Sequence, residues 1–290
     1  MNNKRILISG DKGFIGTHLS KKLKDLGHTI KGYDLKDGYD TRNETQVEKI
    51  IKNFVPQVII HLAALTGVRK SVDMPKEYFN TNITGTLYLL KVAQKYGIKN
   101  FLFASSSSVY GDSAIMKEGT LCDHQLSPYA ISKKTGELLC RMFDDLPTTV
   151  FRPFTVYGEN GRKDMVVYKL IRAGIKNRVF QKYGEGSSRG YTNVHDLVEG
   201  IVKLIDYKPE NNYNVFNLGG SEVIKLDDLI DMVKEEFPKL KVETIERNKA
   251  DTKNNAADIS KAKSIIGYKP VRDFRTNIKK LCQIYTELKE

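Results

Sequence analysis

The sequence predicts an α/β protein, a doubly wound parallel sheet followed by a smaller C-terminal lobe. Three observations predict it. Short β-branched runs alternate with amphipathic helical stretches through the first half of the chain, a glycine turn joins the first run to the first helix, and beyond Pro153 glycine-rich and polar segments replace that rhythm. Strands alternating with helices close right-handed β-α-β units, which implies a parallel sheet covered on both faces.

Arg5-Ile6-Leu7-Ile8-Ser9 is an apolar run of buried-strand type. It ends in Gly10-Asp11-Lys12-Gly13-Phe14-Ile15-Gly16, after which Ile15, Leu19, Leu23 and Leu26 share one helical face and Gly27 is placed to end the helix. Further strands are expected at 28–34, 58–61, 100–105 and 148–152, and helices around 45–53, 84–96 and 129–143. Glycines and polar residues then crowd 157–161 and 183–190, with short elements at 179–181 and 215–218. Residues 1–154 are therefore read as a dinucleotide-binding domain to which segments near 191–219 return, and 155–290 as mainly a substrate-binding lobe.

With 290 residues, 40% hydrophobic and 28% charged, the composition is that of a globular protein and excludes disordered or collagen-like classes. No apolar run approaches the roughly 20 residues that cross a bilayer, and the first ten residues lack a secretory core. A cytoplasmic protein without a membrane partner is expected. Cys122, Cys140 and Cys282 are too scattered for a metal pair or a disulfide framework, so free thiols and no metal are expected. The formal charge of +12 raises nucleic acid or small anions as partners. Basic residues stand singly or in pairs such as Lys21-Lys22, Lys133-Lys134 and Lys279-Lys280, which favours a solvated surface and anionic small molecules over nucleic acid.

Gly10, Gly13 and Gly16 permit a tight turn, close backbone approach to a pyrophosphate and helix-on-strand packing, with the helix N-terminus facing the phosphates. Asp34 closes the next strand about twenty residues on, where a carboxylate accepts the adenosine ribose hydroxyls and favours NAD over NADP. Strand, glycine turn and helix in this order make the sheet Rossmann-type.

Tyr129-Ala130-Ile131-Ser132-Lys133 sets a phenol and an ammonium one helical turn apart, behind a helix start at Ser127-Pro128. Bringing a tyrosine from pKa about 10 to 7 takes about 4 kcal/mol of preference for phenolate. A cation about 5 Å away at an effective dielectric near 20 supplies roughly 3 kcal/mol, and an oxidised nicotinamide adds a second positive charge. Tyr129 is thus the expected base and Lys133 its partner. Ser105-Ser106-Ser107-Ser108-Val109-Tyr110-Gly111 follows the fourth strand, at the sheet end where this fold puts its ligand.

The Gly-x-x-Gly-x-x-Gly spacing with the Tyr-x-x-x-Lys pair resembles the extended short-chain dehydrogenase/reductase superfamily, and within it the NAD-dependent sugar-nucleotide epimerases and dehydratases, over nearly the whole chain. Asp40-Thr41 looks like the family's adenine-side aspartate, His61-Leu62-Ala63-Ala64 like its strand-end segment, and Asn80-Thr81-Asn82 like its helix-start asparagine. The resemblance implies NAD contacts from Phe14, Ile15, Asp40, Thr41, Leu62, Ala63, Ala64 and Asn82, besides the three glycines, Asp34, Tyr129 and Lys133. His61 is expected to be a satisfied structural residue. By the same match Ser106, four positions before Tyr110, is the hydroxyl partner of Tyr129.

Related 4,6-dehydratases carry Asp-Glu where Ser107-Ser108 stand, and UDP-glucuronate decarboxylases carry Glu at the position of Ser108. The resemblance therefore implies epimerisation. Phe151-Arg152-Pro153-Phe154-Thr155-Val156-Tyr157-Gly158, continuing through Gly161-Arg162-Lys163-Asp164-Met165, is similar to a stretch of UDP-glucuronate 4-epimerases, with departures at Glu159, Asn160 and Lys163. There the hydroxyls matching Ser107, Ser108 and Thr155 hold the sugar carboxylate, neutral donors that grip the anion without a charge assisting loss of CO2. Arg189-Gly190-Tyr191 resembles a segment whose arginine meets the UDP pyrophosphate, and Arg162 is a second diphosphate candidate. Asp196 and the segment 257–262 match structural landmarks.

The implied reaction is conversion of UDP-glucuronate to UDP-galacturonate through a transient 4-keto sugar. UDP-glucose or UDP-N-acetylglucosamine 4-epimerisation is the nearest alternative, and a catalytically inactive nucleotide-binding regulator a distant one. The resemblance also implies a homodimer through the helices around 84–96 and Tyr129, with Leu87, Leu90, Leu138, Met142 and Phe143 in contact.

Overall fold

The computed structural model describes residues 3–113, 115–246 and 252–288. Strands and helices alternate from the N-terminus as the periodicity predicts: β1 (Arg5–Ser9), α1 (Phe14–Asp25), β2 (Thr29–Tyr33), α2 (Glu44–Phe54), β3 (Val58–His61), the short helices α3 (Val68–Asp73) and α4 (Pro75–Phe79), α5 (Gly85–Lys95), β4 (Asn100–Ala104), α6 (Pro128–Met142) and β5 (Thr148–Pro153). A π-helical turn at Asn80–Thr84 joins α4 to α5. The remainder comprises β6 (Val156–Tyr157), α7 (Val166–Ile175), β7 (Val179–Tyr183), β8 (Ser188–Gly190), β9 (Thr192–Asn193), α8 (Val194–Ile205), β10 (Tyr213–Leu218), β11 (Val223–Lys225), α9 (Leu226–Glu236), β12 (Lys241–Ile245), β13 (Asn254–Asn255), α10 (Ser260–Ile266) and α11 (Phe274–Glu287).

Six parallel strands form the main sheet in the order β10-β5-β4-β3-β1-β2. The winding direction reverses between β1 and β3, which opens a crevice at their C-terminal ends. Side-chain alternation builds a core on each face. Ile6, Ile8, Ile60 and Leu102 join Leu19 of α1 and Leu197 and Ile201 of α8 on one side. Leu7, Ile59, Phe101 and Phe103 meet Val47 and Ile51 of α2 and Leu89 of α5 on the other.

Segment 215–218, among those expected to return to the first domain, belongs to the sixth strand of the main sheet, with Val215 in register with Val150, and two expectations are corrected. The C-terminal lobe is more helical than its glycine-rich loops suggest. Its own core brings together Leu170 and Ile171 of α7, Leu229 and Val233 of α9, and Ile278 and Leu281 of α11. Leu90 is fully buried in the sheet core and offers nothing to a second chain, whereas Leu138 and Met142 are 56% and 63% exposed.

Cys122, Cys140 and Cys282 are free and buried. Among the described residues no helix is long and apolar enough to cross a membrane.

Candidate active site

The glycine turn sits on the crevice. Gly10 has φ 78°, and a Cβ there would stand 2.7 Å from the backbone nitrogen of Ala63. At Gly16 a Cβ would come within 2.1 Å of the Gly10 carbonyl, so the turn closes only without side chains. Gly13 caps α1 without a side-chain hydrogen bond, leaving the first N–H groups open beside Phe14 and Ile15. Asp34 follows β2 and accepts from the backbone nitrogens of Lys12 and Lys36 at 3.1 and 2.9 Å, which fixes its carboxylate against the turn.

Asp11, not among the expected site residues, has a carboxyl group that covers the Cα of Gly32. Burial and the Asp34 charge raise its pKa. A glycine inside β2 was the available signal. Asp40 is held bidentate by Arg42, with Nε–Oδ1 2.9 Å and Nη2–Oδ2 2.6 Å, which lowers its pKa. Thr41 is buried against the start of α5, where a Cβ at Gly85 would meet its hydroxyl at 2.5 Å.

A chain of hydrogen bonds runs beneath the strand ends. Ala63 N donates to Ser9 Oγ at 3.3 Å, and Ser9 Oγ lies 2.6 Å from His61 Nδ1. Thr86 gives its proton to the Asn82 carbonyl at 2.6 Å, so the 2.9 Å contact of His61 Nε2 with Thr86 is one in which the ring donates. The imidazole is buried, lowered to about 3 and neutral, a satisfied structural residue. Asn82 in turn accepts from Leu65 N at 2.8 Å and donates to Leu65 O at 3.0 Å and Ser132 Oγ at 2.9 Å. It pins the loop of Leu62, Ala63 and Ala64 to α6.

Ser127 caps α6 by accepting from Ala130 N at 3.2 Å, and Pro128 takes the first helical position. Tyr129 is half-buried, edge-on to Tyr78 at 6.3 Å. Burial raises the phenol overall, with Asp164 acting in the same sense, while the Ser106 hydroxyl and the charge of Arg162 act against it. Lys133 donates to the Ala104 carbonyl at 2.8 Å and stands 5.1 Å above the Phe103 ring. Burial lowers its ammonium to about 8. The task of favouring phenolate, expected of Lys133 together with an oxidised nicotinamide, falls in the structure to Ser106 and Arg162, because the lysine stem turns to a carbonyl at the end of β4.

Ser106 Oγ accepts from Ser108 N at 3.2 Å and from Ser108 Oγ at 2.9 Å. Both acceptor positions are filled, which leaves its O–H to donate toward Tyr129. Ser107 Oγ accepts from Asn255 Nδ2 at 3.1 Å. Ser105 donates to Glu137 Oε1 at 2.6 Å, and Glu137 is gripped by Arg152 through Nε at 2.8 Å and Nη2 at 2.7 Å. Sequence reasoning missed Glu137, although its position one turn beyond Lys133 was a usable signal.

Thr155 follows β5, and its carbonyl accepts from Thr192 N at 3.1 Å. Arg162 is paired with Asp164 and lies against Gly67 and Tyr78. Its influence on the Tyr129 and Tyr78 phenols puts it at the phenol end of the cleft. Arg189 of β8 donates to the carbonyls of Ser188 and Lys253, both at 2.8 Å, and of Thr252 at 2.7 Å. Asp196 is paired with Arg272, and Asp258 accepts from Ser260 N at 2.9 Å, both structural contacts.

Residues 6–219 match the family model described as the NAD dependent epimerase/dehydratase family. The chain is 33% identical over 305 residues to a UDP-glucuronate 4-epimerase of Thermodesulfobacterium geofontis, covering 94% of each. Among solved structures, it is similar to the UDP-glucuronic acid 4-epimerase of Bacillus cereus in complex with UDP-glucuronic acid and NAD, at TM-score 0.90 and 29% identity over 98% of this chain and 99% of that one. It is also similar to the UDP-glucose 4-epimerase of Thermotoga maritima with UDP-glucose, at TM-score 0.91 and 27% identity over 99% and 100%.

Proposed function

The chain belongs to the NAD-dependent epimerase/dehydratase family, and from that premise we propose that it converts UDP-glucuronate to UDP-galacturonate by epimerisation at C4. One observation carries the choice of reaction. The turn after β4 offers hydroxyls at Ser106, Ser107 and Ser108, and the carboxylate behind it, Glu137, is held by Arg152 and Ser105. No acid in the turn serves elimination of water.

A dinucleotide fits the crevice on three counts: the side-chain-free approach at Gly10 and Gly16, the open N-terminus of α1, and the Asp34 carboxylate fixed at the end of β2. NAD, when bound, supplies hydride exchange at C4 with no net redox change. Tyr129 takes the proton of the sugar 4-hydroxyl and returns it after the 4-keto sugar has turned its other face. Ser106 donates to the phenol oxygen as negative charge develops there, and Lys133 supplies a buried positive charge one turn along α6. Arg162, paired with Asp164, stands at the same end and is assigned to the reacting sugar rather than to the diphosphate. Arg189 is assigned to the diphosphate and Ser107 and Thr155 to the carboxylate, while Ser108, whose hydroxyl donates to Ser106, is assigned to holding that serine.

A homodimer through α5 and α6 is part of this reading, supported by the exposed Leu138 and Met142. A cytoplasmic location is supported by three free cysteines.

The test is incubation of the purified enzyme with UDP-glucuronate, UDP-glucose and UDP-N-acetylglucosamine, with the epimers resolved by chromatography. UDP-galacturonate is the expected product. Turnover of UDP-glucose alone would overturn the substrate assignment.

A further inference from the structure

Asn255 lies in β13, in register with Arg189 of β8, and its side chain crosses from the lobe to the serine turn. It is 7% exposed, and its Oδ1 meets no partner among the described residues. An amide carbonyl buried without a partner is costly, so such a group calls for a functional explanation. The other half of the amide gives one. Nδ2 donates to Ser107 Oγ, which fills an acceptor position on that hydroxyl and turns its proton away from Asn255.

The neighbouring hydroxyl protons are already committed. Ser105 donates to Glu137, Ser108 donates to Ser106, and Ser106 is left to donate toward Tyr129. Ser107 is therefore the serine of the turn left to donate to a ligand. Hydrogen bonds to a charged acceptor are roughly twice as strong as neutral ones, so a hydroxyl fixed as a donor rewards a carboxylate over a hydroxymethyl group.

We propose that Asn255 is a positioning residue that orients Ser107 as a hydrogen-bond donor to the sugar carboxylate, and so sets the preference for a UDP-uronate over a neutral UDP-hexose. This rests on the UDP-glucuronate reading above. Asn255→Asp places an acceptor where the amide donor stood. It draws the Ser107 proton toward itself and sets a negative charge against the incoming carboxylate.

The experiment is calorimetric titration of the NAD-loaded wild type, Asn255→Asp, Asn255→Ala and Ser107→Ala with UDP-glucuronate, UDP-glucose and UDP, with thermal melts to verify folding. For Asn255→Asp the Kd of UDP-glucuronate rises about tenfold or more, while those of UDP-glucose and UDP change less than about threefold. Asn255→Ala and Ser107→Ala give a smaller loss with the same selectivity, and they carry the test if the aspartate variant does not fold. Equal losses for all three ligands, or an unchanged Kd for UDP-glucuronate, would overturn the proposal. A wild type that does not prefer UDP-glucuronate over UDP-glucose overturns the substrate reading itself. A selective wild type with insensitive variants overturns only the role of Asn255.

Discussion

Glu137 and Arg152 form a bidentate ion pair behind the serine turn, at 2.8 and 2.7 Å, with side chains only 2% and 3% exposed. The pair ties α6, which carries Tyr129 and Lys133, to β5 and, through Ser105, to the end of β4. Removing one partner strands a buried charge. Glu137→Ala is expected to lower stability by about 3–5 kcal/mol, and Ser105→Ala by about 1 kcal/mol. Urea unfolding of the two variants measures both, and equal effects would show that the charge pair is not the dominant contact.

Tyr129→Phe removes the proton acceptor and leaves the ring against Tyr78. Turnover of UDP-glucuronate is expected to fall by roughly 10²–10⁴ with NAD still bound. Ser106→Ala loses one donor to the phenol and should lower kcat by about tenfold. Single-time-point chromatography with absorbance of the released nucleotide separates chemistry from cofactor retention.

His61 gives stability a definite pH dependence. Its folded pKa is lowered to about 3 from 6.5, so between these values the unfolded chain binds a proton that the folded chain refuses. The contribution is fully present above pH 6.5 and is lost progressively as the pH falls toward 3, on the order of 4–5 kcal/mol in total. His61→Gln should flatten that slope. Denaturation midpoints measured at intervals from pH 7 to 4 read it directly, and parallel slopes in wild type and variant would refute the assignment.

Gly16→Ala drives a methyl group into the Gly10 carbonyl, 2.1 Å from the Cβ position, with the Asp11 backbone 2.7 Å from it. The turn must open, and the enzyme is expected to purify without NAD. Gly27→Ala is the control: it has φ 84° but nothing within 4 Å of a Cβ. It should cost about 1 kcal/mol of stability and keep the nucleotide. Nucleotide content per chain after gel filtration tests both.

The first half of the sheet and the glycine turn were legible because they depend on local patterns. Alternation at Ile6, Leu7 and Ile8 sorts side chains onto two faces, and one turn of helix joins Tyr129 to Lys133 whatever the rest of the chain does. What was not legible depends on distant pairing. The return of the segment holding Val215 was expected, but not that its partner is β5, and Asn255 touches Ser107 across 148 residues. The helices α3 and α4 span six and five residues, too short to show a period.

The apolar faces of α5 and α6 show the same limit and lead to the last prediction. The resemblance puts Leu90 and Leu138 on equal terms, yet Leu90 is buried against the sheet while Leu138 and Met142 are exposed on α6. Exposed apolar residues on one helix are covered by a second copy if the dimer forms as proposed. Leu138→Asp with Met142→Lys should then yield monomers by sedimentation at micromolar concentration, with little change in the stability of each chain. Leu90→Ala should do the reverse, keeping the dimer and lowering stability by about 2–5 kcal/mol through the cavity it leaves. A wild-type chain that sediments as a monomer, or a double variant that stays dimeric, would move the interface off α6.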